Sequence, residues 1–220
     1  MAPPKVKIVL AITSPIAFAP LNDSDVLTHA ITSAHAFVVE NGTHTHLAIA
    51  APAPLMNRVQ TVVAKNDLSV EFIEANPLDA REFAIALASS EPFEILGVHD
   101  VQRPLTRPAQ YHRAMGGLVG EAKAVRPTSA FTETLKIVGD ERELTRTVDR
   151  SSMRRLSTPE MYYKSAIDFS GTNDGSWFLP ITSETITAEV DADPESLRVN
   201  SESEVELLEA LLHWQQRVVR

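Results

Sequence analysis

No cysteine occurs in the chain, which excludes disulfides, thiolate metal ligands and a cysteine nucleophile, and agrees with the expected cytoplasmic location. Glycine is scarce, with 8 in 220 residues, and none falls between Ala11 and Asp25, directly after the first apolar run. Basic residues are missing there too: no Lys or Arg stands between Lys7 and Arg58. A formal charge of -9 argues against a protein that wraps nucleic acid, because displacing phosphate counterions takes clustered Lys and Arg. No apolar stretch reaches membrane-spanning length, so neither nucleic acid nor membrane is an expected partner. Lys5 and Lys7 precede an apolar run, and Ala17-Phe18-Ala19 has the form of a cleavage site. Thr13, Ser14 and Pro15 break that run, however, and Pro20 would follow the cut, so no signal peptide is expected.

What the chain does have is a regular alternation. Val6 to Ile12 reads as a buried strand, and Ser24 to Glu40 carries Val26, Leu27, Ala30, Ile31, Ala34 and Val38 at helical spacing. Asn41-Gly42 closes that helix as a left-handed cap. Leu47 to Ala51 is a second strand, Leu55 to Lys65 a helix, and Val70 to Ile73 a third strand. Asp79 caps a helix running to Ser89, and Ile95 to Val98 is the fourth strand. Thr106 and Pro108 open another helix, and Glu121 to Val125 is a fifth strand. Strands separated by helices at this pitch pair in parallel through right-handed crossovers. The expected fold class is α/β, a doubly wound, mainly parallel, Rossmann-like sheet within one domain over residues 1–220.

The rhythm then changes. Thr132 to Val138 and Leu144 to Asp149 are extended and joined by Gly139-Asp140-Glu141-Arg142, which is turn chemistry. A lone two-stranded ribbon is marginal in water, so residues at about 130–157 are read as a protruding β-hairpin arm that dimerises the protein. Thr158-Pro159 is expected to begin a helix, Gly171 to Gly175 to form a polar loop, and Ile186 to Val190 and Leu197 to Val199 to be extended. Ser201 and Glu204 form a capping box for a C-terminal helix.

Ligands of such sheets bind at the carboxyl ends of the strands, where the stretch Ile95 to Pro104 places His99, Asp100 and Arg103. The plain alternative is that Asp100 and Arg103 form a loop ion pair. His44 and His46 stand two apart at a strand entry without an evident third metal ligand, and a solvated loop end is the preferred reading. Arg142, Arg154 and Arg155 are read as surface charges of the arm, and Trp177-Phe178 as a packing anchor.

Val98-His99-Asp100-Val101-Gln102-Arg103-Pro104 resembles the Val-His-Asp-Ala-Ala-Arg-Pro motif of the 2-C-methyl-D-erythritol 4-phosphate cytidylyltransferase family. Further likenesses follow in order: Thr134-Leu135-Lys136 to Thr-Met-Lys, Val148-Asp149-Arg150 to Val-Asp-Arg, Thr158-Pro159 to Thr-Pro-Gln, and Leu197-Arg198-Val199 to Ile-Lys-Val. The resemblance implies attack of a sugar-alcohol phosphate on the α-phosphorus of CTP, release of pyrophosphate with Mg2+ present, and a homodimer whose arm reaches the neighbouring site. It further implies that Asp100 stands near the metal and the polyol and that Arg103 braces the strand-end loop. Thr134 from the partner's arm, Arg150, Thr158 and Arg198 would hold the substrate phosphate, for which guanidinium and hydroxyl donors are suited.

The departure lies at the other end. The family's first strand runs into Ala-Ala-Gly-x-Gly-x-Arg-Met and then Pro-Lys-Gln, whose donors and charges meet the triphosphate. Ala11 to Asp25 has neither, and Pro15 and Pro20 each remove a backbone donor. Pro77 to Arg81 matches the family's acidic segment only without its glycines. CTP binding is therefore in doubt, and the expectation is a family chain that keeps part of the sugar-phosphate pocket but is catalytically impaired or inactive. Two alternatives stay open. One is an active enzyme that holds the triphosphate through Arg58, Lys65 or Arg81. The other is a non-catalytic paralogue that binds a phosphorylated polyol or pairs with an active family member.

Overall fold

In a computed structural model the described residues are 3–66, 68–172 and 175–218, the side chains of 215–218 excepted. Strand β1 (Val6–Ala11) is buried on both faces, as a central parallel strand must be. The chain then makes a 3-10 turn over Pro15–Phe18 and a small antiparallel pair, β2 (Pro20–Leu21) with β3 (Ser24–Asp25). Helix α1 (Val26–Asn41) follows, capped by the Asp25 carboxylate, which accepts from the Thr28 N–H at 2.7 Å. It ends at Gly42, whose φ of 77° suits glycine and whose N–H reaches the carbonyls of Val38 and Val39. Next come β4 (Thr45–Ala51), α2 (Ala53–Lys65), β5 (Glu71–Glu74), α3 (Ala80–Ala88), β6 (Ile95–Asp100) and α4 (Pro108–Gly116). The second half comprises β7 (Ala124–Ala130), β8 (Lys136–Val138), β9 (Leu144–Thr147), β10 (Arg154–Leu156), β11 (Glu160–Tyr163), β12 (Thr187–Asp191) and α5 (Glu202–Val218).

Eight strands form one sheet in the order β10-β7-β11-β6-β1-β4-β5, with β12 alongside β7. From β1 the chain steps outward to β4 and β5, then returns to the other side of β1 as β6, all in parallel. The helices obey this reversal. Apolar residues of α1, α2, α4 and α5 pack on one face with Ile8 and Leu10, while Phe83, Ala84 and Leu87 of α3 pack on the other with Val9 and Ala11. The sheet is thus doubly wound, and its switch point lies between the carboxyl ends of β1 and β6, where Ala11 pairs with Asp100.

Three expectations are corrected. Thr158-Pro159 does not begin a helix; it leads by a cis peptide bond into β11, which runs antiparallel between β6 and β7. Proline is tolerated as a strand begins, and Met161 and Tyr162 are fully buried there. The fifth strand starts at Ala124 rather than Glu121. Leu197 to Val199 belongs to no strand and is instead held by Gln102, whose carbonyl accepts from the Val199 N–H at 2.8 Å. The capping box is half formed: Ser201 Oγ accepts from the Glu204 N–H at 3.3 Å, while the Glu204 carboxylate accepts from the Asn200 N–H, one residue before the cap. The polar loop expected over Gly171 to Gly175 lies partly outside the described residues.

The ribbon expected after β7 is present as β8 and β9, which among the described residues pair only with each other, and β10 returns the chain to β7. Val138 and Leu144 on the ribbon are 58% and 68% exposed. Among the described residues no helix is long and apolar enough to cross a membrane.

Candidate functional site

Asp100 ends β6 at the switch point, opposite Ala11 of β1. Its backbone N–H donates to Thr158 Oγ1 at 3.0 Å, and its carboxylate accepts from the Gln102 N–H at 3.0 Å and from Arg198 Nε at 2.7 Å. Asp100 is buried, whereas Arg198 keeps about a third of its side chain in water. Thr158 Oγ1 is also 2.9 Å from His99 Nδ1. Arg103 ties the loop after β6 to two distant segments, donating to the Ser196 carbonyl at 2.6 Å and the Leu156 carbonyl at 2.7 Å. Burial lowers the Arg103 pKa to about 10, with Asp100 opposing the shift and Arg198 and Arg155 adding to it, so the guanidinium stays charged at neutral pH.

A buried polar network adjoins this strand end. Gln110 of α4 donates to Ser157 Oγ at 3.1 Å and to the Thr158 carbonyl at 2.5 Å. Ser196 Oγ lies 2.6 Å from Thr106 Oγ1 and 2.8 Å from Ser157 Oγ. Asp193 closes the network, accepting from Arg113 at 2.5 Å and from the Arg107 N–H at 3.1 Å. Burial pushes the Asp193 carboxyl up, and those arginines outweigh it and hold it below the usual carboxylate range. The segment 193–199 is thereby fixed against the sheet, and Arg198 with it.

Arg103, Arg155 and Arg198 line one cavity of about 260 Å3, together with Leu197, Val199, Glu204, Leu207 and Leu208. Three guanidinium groups thus bring positive charge to one cavity beside the Glu204 carboxylate, although Arg103 gives both terminal nitrogens to backbone carbonyls and Arg155 gives its Nε to Ser129 Oγ. The fold therefore gathers Asp100, Arg103, Thr158 and Arg198. Thr134 precedes β8 and Arg150 follows β9, both exposed, and Arg150 donates to the Thr132 carbonyl. Arg155, read from the sequence as a surface charge, lines the cavity, and Gln102 stands where the motif of the resembling family has alanine. Gln110 and Ser196 gave no signal, their partners lying 39 to 90 residues away. His44 and His46 are exposed, and no group of three or more side chains suited to a metal occurs among the described residues.

Magnesium binds oxygen, keeps several waters and commonly takes one or two carboxylates plus phosphate oxygens. A carboxylate has about four lone-pair sites, and Asp100 has two of them engaged. It fits as the single protein ligand of an ion that arrives with a phosphate.

The segment after β1 is a different matter. Ser14 Oγ accepts from the Ile16 N–H, the Ala17 N–H goes to Ser14, the Ala19 N–H to Ile16, and the Asn22 N–H to Glu209 of α5. Ile12, Ala17 and Leu21 are completely buried. The segment is packed inward, and much of its backbone donor capacity is spent within the protein. Arg58 of α2, one of the three alternative cations, lies over the Phe18 ring at 4.1 Å.

His99 is wholly buried and tilted against Tyr111 at 5.3 Å. Burial, and then the Arg103 charge, lowers its pKa from 6.5 to about 3. A depressed histidine costs stability once the unfolded chain begins to protonate, so the loss starts below pH 6.5 and continues to about pH 3. At about 1.4 kcal/mol per pH unit, His99 alone should remove about 2 kcal/mol between pH 6.5 and 5. Urea denaturation at pH 7 and pH 5 should show this difference between the wild type and His99→Gln; parallel pH dependence of the two would mean that His99 charges in the native state.

An α/β protein with its ligand crevice at the switch point of a doubly wound sheet is the class that fold and site define. The profile of the family described as 2-C-methyl-D-erythritol 4-phosphate cytidylyltransferase matches residues 10–178, and the chain belongs to that family. The protein of that name from Saccharopolyspora erythraea is 25% identical over 210 residues, covering 90% of this chain and 91% of the relative. Among solved structures, 4-diphosphocytidyl-2C-methyl-D-erythritol synthase from Anaerococcus prevotii shares the fold at a TM-score of 0.74 and 14% identity, covering 94% of this chain and 98% of that one. A Mycobacterium tuberculosis H37Rv protein solved as a complex with manganese superposes at 0.62 with 17% identity, over 96% of this chain and all of the other.

Proposed function

We propose that this chain is a cytidylyltransferase of the 2-C-methyl-D-erythritol 4-phosphate type that retains the sugar-alcohol phosphate half of its site and has lost competent CTP catalysis. Arg198, Thr158 and Arg103 would serve the polyol phosphate from within the chain. Thr134 and Arg150 would serve it from the arm of a second copy, the exposed Val138 and Leu144 meeting that copy in a cytoplasmic homodimer. Asp100 would hold Mg2+ brought in with the phosphates, an ion that neutralises their charge when bound. Residues 1–220 would act as one nucleotidyltransferase-like domain with the arm as its extension.

The observation that carries the reading is the segment from Ala11 to Asp25. It has no basic residue, Pro15 and Pro20 lack an N–H, and the amides of Ile16, Ala17, Ala19 and Asn22 are bonded internally. Phosphoryl-type transfer depends on charge and donors aimed at the transferring group, and loss of one donor costs on the order of 100-fold or more. Pyrophosphate release from CTP with 2-C-methyl-D-erythritol 4-phosphate and Mg2+ should therefore run at least about 100-fold slower than for the Saccharopolyspora erythraea relative assayed alongside. Comparable turnover would refute the loss of catalysis.

A further inference from the structure

The guanidinium of Arg198 is already engaged by its own chain. Nε donates to Asp100, one terminal nitrogen reaches Gln102 Oε1 at 3.0 Å and Thr13 Oγ1 at 3.4 Å, and the other meets Asn200 Oδ1. Gln102 is the hub of this arrangement. It is 2% exposed, and its side-chain oxygen accepts from the Thr13 hydroxyl at 2.6 Å as well as from Arg198. Its amide nitrogen donates to the Val199 carbonyl at 2.5 Å. Its backbone N–H bonds the Asp100 carboxylate and its carbonyl accepts from Val199. One side chain therefore joins the end of β6, the segment after β1 and the segment that carries Arg198. An alanine at this position, as in the resembling motif, could make none of the side-chain bonds.

We propose that Gln102 is a positioning residue that holds Arg198 inward on Asp100 and Thr13, and thereby sets how much of the guanidinium an entering phosphate group can use. The proposal rests on the reading that a phosphate binds in the cavity lined by Arg103, Arg155 and Arg198. A phosphate that takes the Arg198 N–H now given to Gln102 must displace that oxygen, and its measured affinity is then the intrinsic affinity reduced by the strength of that contact. A hydrogen bond to a charged group changes an equilibrium constant by about tenfold or more.

Two variants separate positioning from packing. Gln102→Met keeps the length of the side chain but accepts no strong hydrogen bond; Gln102→Glu keeps the acceptor and adds a charge facing Arg198. Inorganic phosphate is titrated at constant ionic strength and its dissociation constant taken from the thermal shift, each variant being read against its own phosphate-free Tm. Binding about tenfold tighter in Gln102→Met and about tenfold weaker in Gln102→Glu is expected. If one variant fails to fold, the other still carries the test, since each has its own predicted direction. Unchanged phosphate affinity, whatever happens to the phosphate-free Tm, would reduce Gln102 to a packing role and overturn the proposal. Arg198→Met distinguishes the two levels. If Arg198→Met abolishes binding while the Gln102 variants match the wild type, the phosphate site stands and the role of Gln102 falls. Wild-type phosphate affinity in Arg198→Met would refute the site reading itself, and the proposal with it.

Discussion

Replacing Arg126 with methionine should cost about 3–5 kcal/mol of folding stability, one of the two largest single-residue losses expected in the molecule. Glu160 of β11 is 1% exposed, on the face of the sheet that packs Val98, Leu179 and Trp177. Its carboxylate is paired with Arg126 of β7 and also accepts from the Tyr162 hydroxyl and, at 2.8 Å, from the Phe178 N–H. Without the guanidinium a carboxylate would stay buried against apolar neighbours with only neutral donors. The double variant Arg126→Met/Glu160→Gln should recover most of the loss, because an amide oxygen still accepts from Tyr162 and Phe178 and carries no charge. Glutamine is also what the Thr-Pro-Gln motif of the resembling family has at this place. Urea denaturation of wild type, single and double variants checks the claim. A double variant no more stable than the single would assign the loss to the packing of Arg126 on the Trp177 ring, 4.4 Å away.

The parallel half of the sheet was legible because its strands are buried on both faces and read as continuous apolar runs, while the helices between them carry one apolar stripe each. β11 was not legible, for a physical reason. It has four residues, its burial does not alternate, and it follows a proline that equally well opens a helix. The sheet order overrides that local signal by inserting Met161 and Tyr162 between β6 and β7. At the site, Asp100 was legible from the abrupt end of an apolar strand and Arg198 from its place in an ordered series of motifs. Gln102 and Gln110 were not legible in their roles. A buried amide has no periodic signature, and the acceptors that justify burying these two are supplied by Val199 and Thr158, far along the chain. Lys7 shows the same limit within an otherwise readable strand.

Lys7 sits in β1 where the α3 face would ordinarily take an apolar side chain, and it is wholly buried. Its Nζ is 2.7 Å from Glu71 Oε2 and 2.7 Å from Ser90 Oγ, and 5.6 Å from the centre of the Phe93 ring. Glu71 in turn accepts from the Glu91 N–H at 3.0 Å and keeps 23% of its side chain in water. The two ends of this pair should therefore respond unequally. Glu71→Ala strands an ammonium in the interior beside one hydroxyl and should cost about 3–5 kcal/mol. Lys7→Met leaves a carboxylate that water and the Glu91 N–H still solvate, and replaces the ammonium stem with apolar bulk, so its cost should be on the order of 1 kcal/mol. Chemical denaturation of both variants decides the matter. Equal losses would mean that the pair acts through contact and packing; the expected asymmetry would mean that the desolvated charge governs, and that Glu71 is retained at the sheet edge to make a buried lysine tolerable.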